Sequence, residues 1–455
     1  MIDTNQKIII VGAGLAGSLL SIYMARRGFQ VAVYEKRPDM RTEEISAGRS
    51  INLALSHRGI RALQRAGIAE QILQEVIPMK GRMLHSVEGE LTFVPYGKDD
   101  SEYINSISRG GLNMALMTIA ESYDNVQLFF NQGCESVDFA QKTLHLKHTQ
   151  TGEVQQVKGD IIIGADGAGS VVRTAMESSL KARPDYKNSS DFLAHGYKEL
   201  TIPPGPNSSF LIEKNALHIW PRGSYMLIAL PNLDGSFTCT LFFPNEGENS
   251  FESLDTPEKV AAFFNDTFAD AIPFLPNLTE EYFENPTGLL GTVRCYPWHL
   301  EDKAVLVGDA AHAIVPFYGQ GMNASFEDCI DFDECVENYG EQGWQQVFEA
   351  YQTKRKQNSD AIAQLAIENF YEMRDGVAEP AFLRKRQLER ILENKYDDYH
   401  SKYSLVTFNP DISYAEAHER GNRQNEFLLE ICRKVDSVEA LDVTQIYAEL
   451  KQVIG

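Results

Sequence analysis

With 455 residues the chain exceeds what one hydrophobic core usually organises, so two or three cooperating domains are expected. A hydrophobic fraction of 43% beside 23% charged residues is that of an ordinary folded chain and excludes the disordered, collagenous and multi-span membrane classes. Its 42 Lys and Arg against 64 Asp and Glu give a net charge of −22, which repels phosphate backbones and anionic headgroups; nucleic acid is not an expected partner, and an anionic ligand must be met by specific cations.

The chain opens on a βαβ pattern: Lys7 to Val11 as a buried strand, Leu15 to Arg27 as a helix, Gly28 as its stop, and Gln30 to Glu35 as a second strand. Ile8 to Ala25 carries no charge, yet Gly12, Gly14 and Gly17 divide it into strand and helix, so it reads as neither a signal nor a membrane span. In the loop Gly12-Ala13-Gly14-Leu15-Ala16-Gly17, Gly12 permits a tight turn, Gly14 a close approach to a pyrophosphate, and Gly17 close helix packing. Glu35 ends the next strand, where it would accept from a ribose diol and repel a 2′-phosphate. This favours the adenosine of FAD or NAD over resident NADPH.

A second strand, Asp160 to Gly164, runs into Ala165-Asp166-Gly167-Ala168-Gly169-Ser170, and a third, Lys303 to Gly308, into Asp309-Ala310-Ala311-His312. Three strands ending in small, turn-forming residues suit a parallel sheet whose ends line one crevice. Between them, Ala216 to Trp220, Tyr225 to Leu230 and Phe237 to Phe243 predict an antiparallel meander, followed by a polar loop from Glu246 to Pro257. The Gly319-Gln320-Gly321-Met322-Asn323 run could start a helix whose N–H groups stabilise negative charge on a reduced flavin. From Gln342 onward, Trp344, Val347, Phe348, Tyr351, Ile362, Leu365, Ala366, Asn369 and Phe370 recur at helical spacing. The six cysteines are scattered without CxxC or His partners, which points to a reduced cytoplasmic protein with neither disulfides nor a metal.

The glycine fingerprint with Glu35, Gly164-Ala165-Asp166-Gly167 ahead of Arg173, and Gly308-Asp309-Ala310-Ala311-His312 with the Gly319 to Asn323 run together resemble the single-component aromatic hydroxylase family of flavoproteins. Four strings resemble its kynurenine-hydroxylating branch: Gly48-Arg49-Ser50-Ile51-Asn52-Leu53-Ala54-Leu55, Tyr96-Gly97-Lys98-Asp99-Asp100-Ser101, His195-Gly196-Tyr197-Lys198-Glu199-Leu200, and Asn215-Ala216-Leu217-His218-Ile219-Trp220-Pro221. The resemblance implies an α/β fold with three parts. These are a Rossmann-like FAD-binding domain over 1–180 and 295–335, an inserted antiparallel-sheet substrate domain over 181–294, and a helical C-terminal region over 336–455, with residues 80–100 reaching the substrate site.

The implied reaction takes NADPH and O₂ and hydroxylates L-kynurenine ortho to its amino group through a C4a-hydroperoxyflavin. The chemistry would belong mainly to bound FAD, leaving the protein to position the ring and exclude water. By resemblance, Arg82 and Tyr96 would take the substrate carboxylate, Asn369 and Tyr403 its remaining polar contacts, and Tyr318 would line the pocket without relaying protons. Gly12, Gly14, Leu15, Ala16, Gly17, Glu35, Lys36, Arg37, Leu53, Arg109, Gly308, Asp309, Gly319, Gly321, Met322 and Asn323 would contact FAD.

Asp166 has two readings, a nicotinamide- or pyrophosphate-side residue and a structural turn. NADPH would visit transiently, since Gly167-Ala168-Gly169-Ser170-Val171-Val172 lacks the last glycine of a second fingerprint. Charges run through the closing helix, so no hydrophobic C-terminal anchor is expected. The oligomeric state stays open, a homodimer included. Two other readings also stay open: another aromatic-ring hydroxylase of this fold, and a non-catalytic FAD protein that senses redox state.

Overall fold

The computed structural model of the protein describes residues 2–42, 52–99, 101–375 and 380–454. Gly48 to Ile51 and Asp100 of the strings quoted above lie outside them.

The first strand, Lys7–Val11, sits inside a six-stranded sheet. Its order is His299–Leu300, Ala304–Leu306, Ile161–Gly164, Lys7–Val11, Gln30–Tyr34, Val126–Phe129, and every pairing is parallel except that of the two-residue edge strand. Ile8, Ile9, Ile10, Val31, Val33 and Ile161 to Ile163 are all buried, the signature of strands covered on both faces. The helix Leu15–Arg26 covers one face, and Gly28, at φ +90°, ends it. Because the strands run parallel, the turns after Val11, Gly164 and Leu306 emerge along the same edge, where an open α/β sheet places its ligand.

The second layer is a seven-stranded sheet in the order Gly288–Tyr296, Lys187–Ile202, Phe237–Pro244, Tyr225–Pro231, Ala216–Arg222, Gly81–His85, Leu91–Pro95. The meander appears as expected, each strand one or two residues longer than its periodicity indicates. Two strands from the N-terminal part of the chain extend it, and Ala216–Arg222 pairs in parallel with Gly81–His85. Period-two alternation divides its side chains between two cores. Leu227 and Ala229 pack on the helices Pro257–Thr267 and Leu278–Glu284, whereas Met226 and Ile228 join Phe317, Ile362 and Phe370 on the opposite side. A small sheet of Asn52–Leu55, Ile104–Ser108 and Ile77–Met79 links the two layers. The C-terminal part is helical: Trp344–Asp375, Pro380–Lys395, Lys402–Thr407, Tyr414–Arg433 and Val443–Ile454. No helix among the described residues is long and apolar enough to cross a membrane, and all six cysteines are free.

Beneath the larger sheet, His218 Nδ1 lies 2.9 Å from His85 Nε2, and Asp270 Oδ2 accepts from Trp220 Nε1 at 2.7 Å beside His85 Nδ1 at 3.0 Å. Burial pushes the His218 pKa down to about 4. A histidine whose folded pKa is depressed binds its proton more readily when unfolded, so its contribution to stability is full above the unfolded value near 6.5 and declines as pH falls toward 4. The melting temperature should therefore fall over that interval. A His218→Gln variant, lacking this ionisation, should show a flatter slope in thermal scans at matched ionic strength; an unchanged slope would assign the pH dependence elsewhere.

Candidate active site

The three fingerprint glycines differ in what they do. Gly12 has φ +101°, and a Cβ there would lie 2.5 Å from the Ala165 carbonyl oxygen; at Gly17 a Cβ would lie 2.1 Å from the Gly12 carbonyl oxygen. Both are required by the fold. Gly14 is not: its φ of −73° and ψ of −177° suit any residue, and a Cβ there would meet nothing within 4 Å. Its bareness keeps open the mouth of a cleft of about 1260 Å³, lined also by Leu15, Arg37, Arg109 and Tyr197. The helix behind it has no side-chain cap, so its first-turn N–H groups, those of Leu15 and Ala16 included, are left for an anion. A pyrophosphate fits this cradle.

Glu35 is 6% exposed and accepts from the Ala13 N–H at 2.9 Å, the Arg37 N–H at 3.0 Å and Arg37 Nε at 2.8 Å. Burial alone would raise its pKa, but the Arg37 pairing and these N–H groups outweigh it and hold the carboxylate below its usual range. Lys36, between them in sequence, points to solvent.

Beside the start of the first helix, where its Cβ would lie 3.0 Å from that of Ala16, Gly308 takes φ +62° and its N–H donates to Asp328 Oδ2 at 2.9 Å. Burial raises the pKa of the neighbouring Asp309, and Arg109 is the leading group that opposes the rise. Two residues distant in sequence thus share one electrostatic environment. Gly319, at φ +68°, closes the turn Pro316–Tyr318, and Gly321 begins the helix Gly321–Tyr339, with Met322 buried in its first turn. The side chain of Asn323 is engaged within the protein. Its Oδ1 accepts from the Ser56 N–H at 3.0 Å, and its Nδ2 donates to the Ala54 and Gly319 carbonyls at 2.9 and 3.0 Å. The amide is spent on the fold, which leaves only its main chain for a cofactor. Leu53 is half-buried, on a strand opposite Ile107.

Of the two readings of Asp166, the geometry accounts for the turn. Its carboxylate accepts from the Ser170 hydroxyl at 2.5 Å and from the N–H groups of Val171 and Val172 at 2.7 and 3.2 Å, opening the helix Val171–Leu180. Arg173, in the next turn, donates to the Ala168 carbonyl at 2.5 Å and the Ala310 carbonyl at 2.6 Å, tying this turn to the one at Asp309.

A second cavity, about 580 Å³, is lined by Arg82, Tyr96 and Tyr403 together with residues of the helix Pro380–Lys395. The Arg82 guanidinium carbon lies 4.9 Å from the Tyr96 ring centre and 4.6 Å from that of Tyr403. Tyr403 stacks on Tyr96 at 5.6 Å and on Tyr318 at 5.8 Å. Burial disfavours the Arg82 charge, but Tyr403 and Tyr96 more than offset this, so the cation persists. Tyr318 donates to the Lys402 carbonyl at 3.4 Å. Asn369, the amide on an apolar stripe, donates to the Phe317 carbonyl at 2.7 Å and so supports the turn that carries Tyr318. Behind Arg82, a cluster of Met79, Ile104, Leu230 and Phe408 with Ala54 and Ile228 leads toward Gly319, whose Cβ would lie 3.3 Å from that of Ala54. The arrangement offers a fork-shaped cation at one end, a packed apolar cluster in the middle and the Gly319 turn at the other.

The sequence did not reveal a buried charge network under this site. Arg355 donates to Asp328 Oδ1 at 2.7 Å and to Glu327 Oε2 at 3.0 Å; Glu327 Oε1 accepts from Arg58 at 2.8 Å, and Asp328 Oδ2 lies 2.6 Å from His312 Nε2. Burial would raise the Asp328 pKa, yet His312 and Arg355 hold it below its usual range. Acidic residues within a helix that starts at a glycine turn were the available signal.

Over residues 5–366 the chain matches the FAD binding domain family. It is 49% identical over 440 residues to the kynurenine 3-monooxygenase of Myxococcus xanthus, covering 96% of this chain and 93% of that one. It is 47% identical over 453 residues to that of Dictyostelium discoideum, covering 96% of each, and 43% identical over 456 residues to that of Stenotrophomonas maltophilia, covering 99% and 98%. Among solved structures, 2-methyl-3-hydroxypyridine-5-carboxylic acid oxygenase superposes with a TM-score of 0.64 at 21% identity, covering 84% of this chain and 96% of that one. The p-nitrophenol 4-monooxygenase PnpA of Pseudomonas putida DLL-E4 gives 0.63 at 15% identity, covering 96% and 100%. These two likenesses establish the fold.

Proposed function

Since the chain belongs to the kynurenine 3-monooxygenase family of FAD-binding flavoproteins, we propose that its Arg82 cavity receives the amino-acid end of L-kynurenine and that the neighbouring apolar cluster packs against the ring. The protein is an FAD-dependent aromatic monooxygenase that hydroxylates L-kynurenine to 3-hydroxy-L-kynurenine; the rival readings, another ring hydroxylase or a redox sensor, are not favoured by relatives of this identity and coverage. The observation that carries the site assignment is the guanidinium between two phenol rings, joined by apolar residues to the Gly319 turn.

The open face of Gly14 and the first-turn N–H groups would hold the FAD pyrophosphate. Glu35 would accept from the adenosine ribose, Arg109 and Asp309 would face the ribityl region, and the main chain from Gly319 to Asn323 would meet the ring system. When bound, FAD supplies the redox chemistry, taking reducing equivalents from NADPH and using O₂ to deliver one oxygen atom. The residues of the chain do the rest. Arg82 binds the substrate carboxylate in a fork, supported by the Tyr96 and Tyr403 hydroxyls. Met79, Ile104, Leu230 and Phe408 orient the aniline ring and keep water from it. Tyr318 backs Tyr403 on the side of its own turn, and Asn369 holds that turn in place. Six free cysteines support a reducing, cytoplasmic location.

Purified holoprotein should oxidise NADPH several-fold faster when L-kynurenine is added, and the product should be the 3-hydroxy compound by mass and chromatography. Oxidation that is indifferent to L-kynurenine would sink the substrate assignment.

A further inference from the structure

We propose that Arg58, which touches neither cavity, is a positioning residue that sets where Tyr403 stands relative to Arg82 and the cofactor turns. The substrate part of this inference rests on the kynurenine reading; the geometric part stands alone. Arg58 is 0% exposed, in the first turn of the helix His57–Ala66. Its Nε donates to the Val406 carbonyl at 2.5 Å, and its Nη2 to those of Ile412, Asn409 and Leu405 at 2.6, 3.1 and 3.3 Å. All four carbonyls follow Tyr403 within one short stretch of chain.

The other nitrogen, Nη1, pairs with Glu327 at 2.8 Å, and the guanidinium lies 4.1 Å from the Tyr414 ring centre. From Glu327 the contacts run without a break through Arg355 to Asp328, and from Asp328 to the Gly308 N–H and His312. A parallel branch runs from the Tyr414 hydroxyl to Gln320 Oε1 at 2.9 Å, inside the Gly319 turn. One arginine thus joins the segment bearing Tyr403 to both the Gly308 and the Gly319 turn.

Burying several charges is costly, and an apolar core of equal volume is often as stable, so such a network is better explained by the single arrangement it enforces than by stability. The planar guanidinium reaches four carbonyls and a carboxylate at once, its two Nη2 hydrogens shared among three of the carbonyls, and lysine lacks that geometry. A displacement of Tyr403 on the order of 1 Å is enough to lower catalytic efficiency by up to about a hundredfold.

The test compares holoenzymes of the wild type, Arg58→Gln, Arg58→Lys and Glu327→Gln. Arg58→Gln should keep its FAD, raise KM for L-kynurenine by roughly tenfold or more, change kcat far less, and release more peroxide per NADPH consumed. Arg58→Lys should recover only part of the KM. Amide hydrogen exchange supplies a reading free of substrate: residues 401–412 should exchange at least about tenfold faster in Arg58→Gln while residues 7–35 stay protected.

A KM within twofold of wild type, or unchanged exchange over 401–412, overturns the proposal. So does equal loss of FAD and substrate affinity, which would mark a merely structural residue. Should Arg58→Gln fail to fold, Arg58→Lys decides by the same measurements. If wild type ignores L-kynurenine yet the exchange result holds, the substrate reading has failed and the positioning role has not.

Discussion

Arg82→Ala should weaken L-kynurenine binding by at least about tenfold while the protein remains yellow. Arg82 is held between Tyr96 and Tyr403, both of which favour its charged form, so the cavity presents a cation, the partner that the proposed carboxylate contact needs. Removing one partner of such a desolvated pair costs about 2–5 kcal/mol, and each 1.4 kcal/mol is tenfold in affinity, so tenfold is a lower bound that allows for water replacing part of the contact. Arg82→Lys keeps the charge but loses the fork and should fall between the two. Gly14, Arg37 and Arg109, proposed to hold FAD, line the other cavity, which is why cofactor content should not follow. Titration of flavin absorbance with L-kynurenine reads both quantities at once; affinity equal to wild type would remove Arg82 from the substrate site.

Gly14→Val should give a folded, colourless protein. The Cβ of residue 14 points into space that the protein leaves empty, and its backbone angles lie in the extended region open to any residue, so neither packing nor strain opposes the substitution. What it blocks is the approach of a pyrophosphate to the helix start. Gly12→Ala makes the contrast. With φ +101° and a carbonyl oxygen 2.5 Å from the new methyl, it should impair folding itself. Circular dichroism and flavin absorbance of the two variants separate the cases, and Gly14→Ala serves as the milder version of the first. A Gly14→Val protein with a full complement of FAD would refute the pyrophosphate assignment. Its melting temperature should match that of wild type stripped of FAD, since the stability it lacks is the part contributed by ligand binding.

How much of this was legible beforehand depended on the range of the interaction. The strands Lys7–Val11 and Gln30–Tyr34, the helix between them and the three glycine turns follow from residue order, because a buried parallel strand, a helix stop and a left-handed turn each impose their demand on neighbours a few positions apart. The same locality exposed the meander and the helical stripe containing Asn369. By contrast, the join of Ala216–Arg222 to Gly81–His85 leaves no local mark, since a strand's pattern records which face it buries and says nothing of its partner.

Side-chain roles divide along the same line. The motif position of Asn323 marked a cofactor turn, but whether its amide served ligand or fold depended on Ser56 and Ala54, brought beside it from far upstream. Arg58 looked like any helical arginine until the chain folded four carbonyls and Glu327 around it. Short-range backbone geometry and hydrophobic periodicity are properties of contiguous residues and can be read in one dimension. The desolvation of a charge and the acceptors that compensate it arise only when distant segments enclose the same volume.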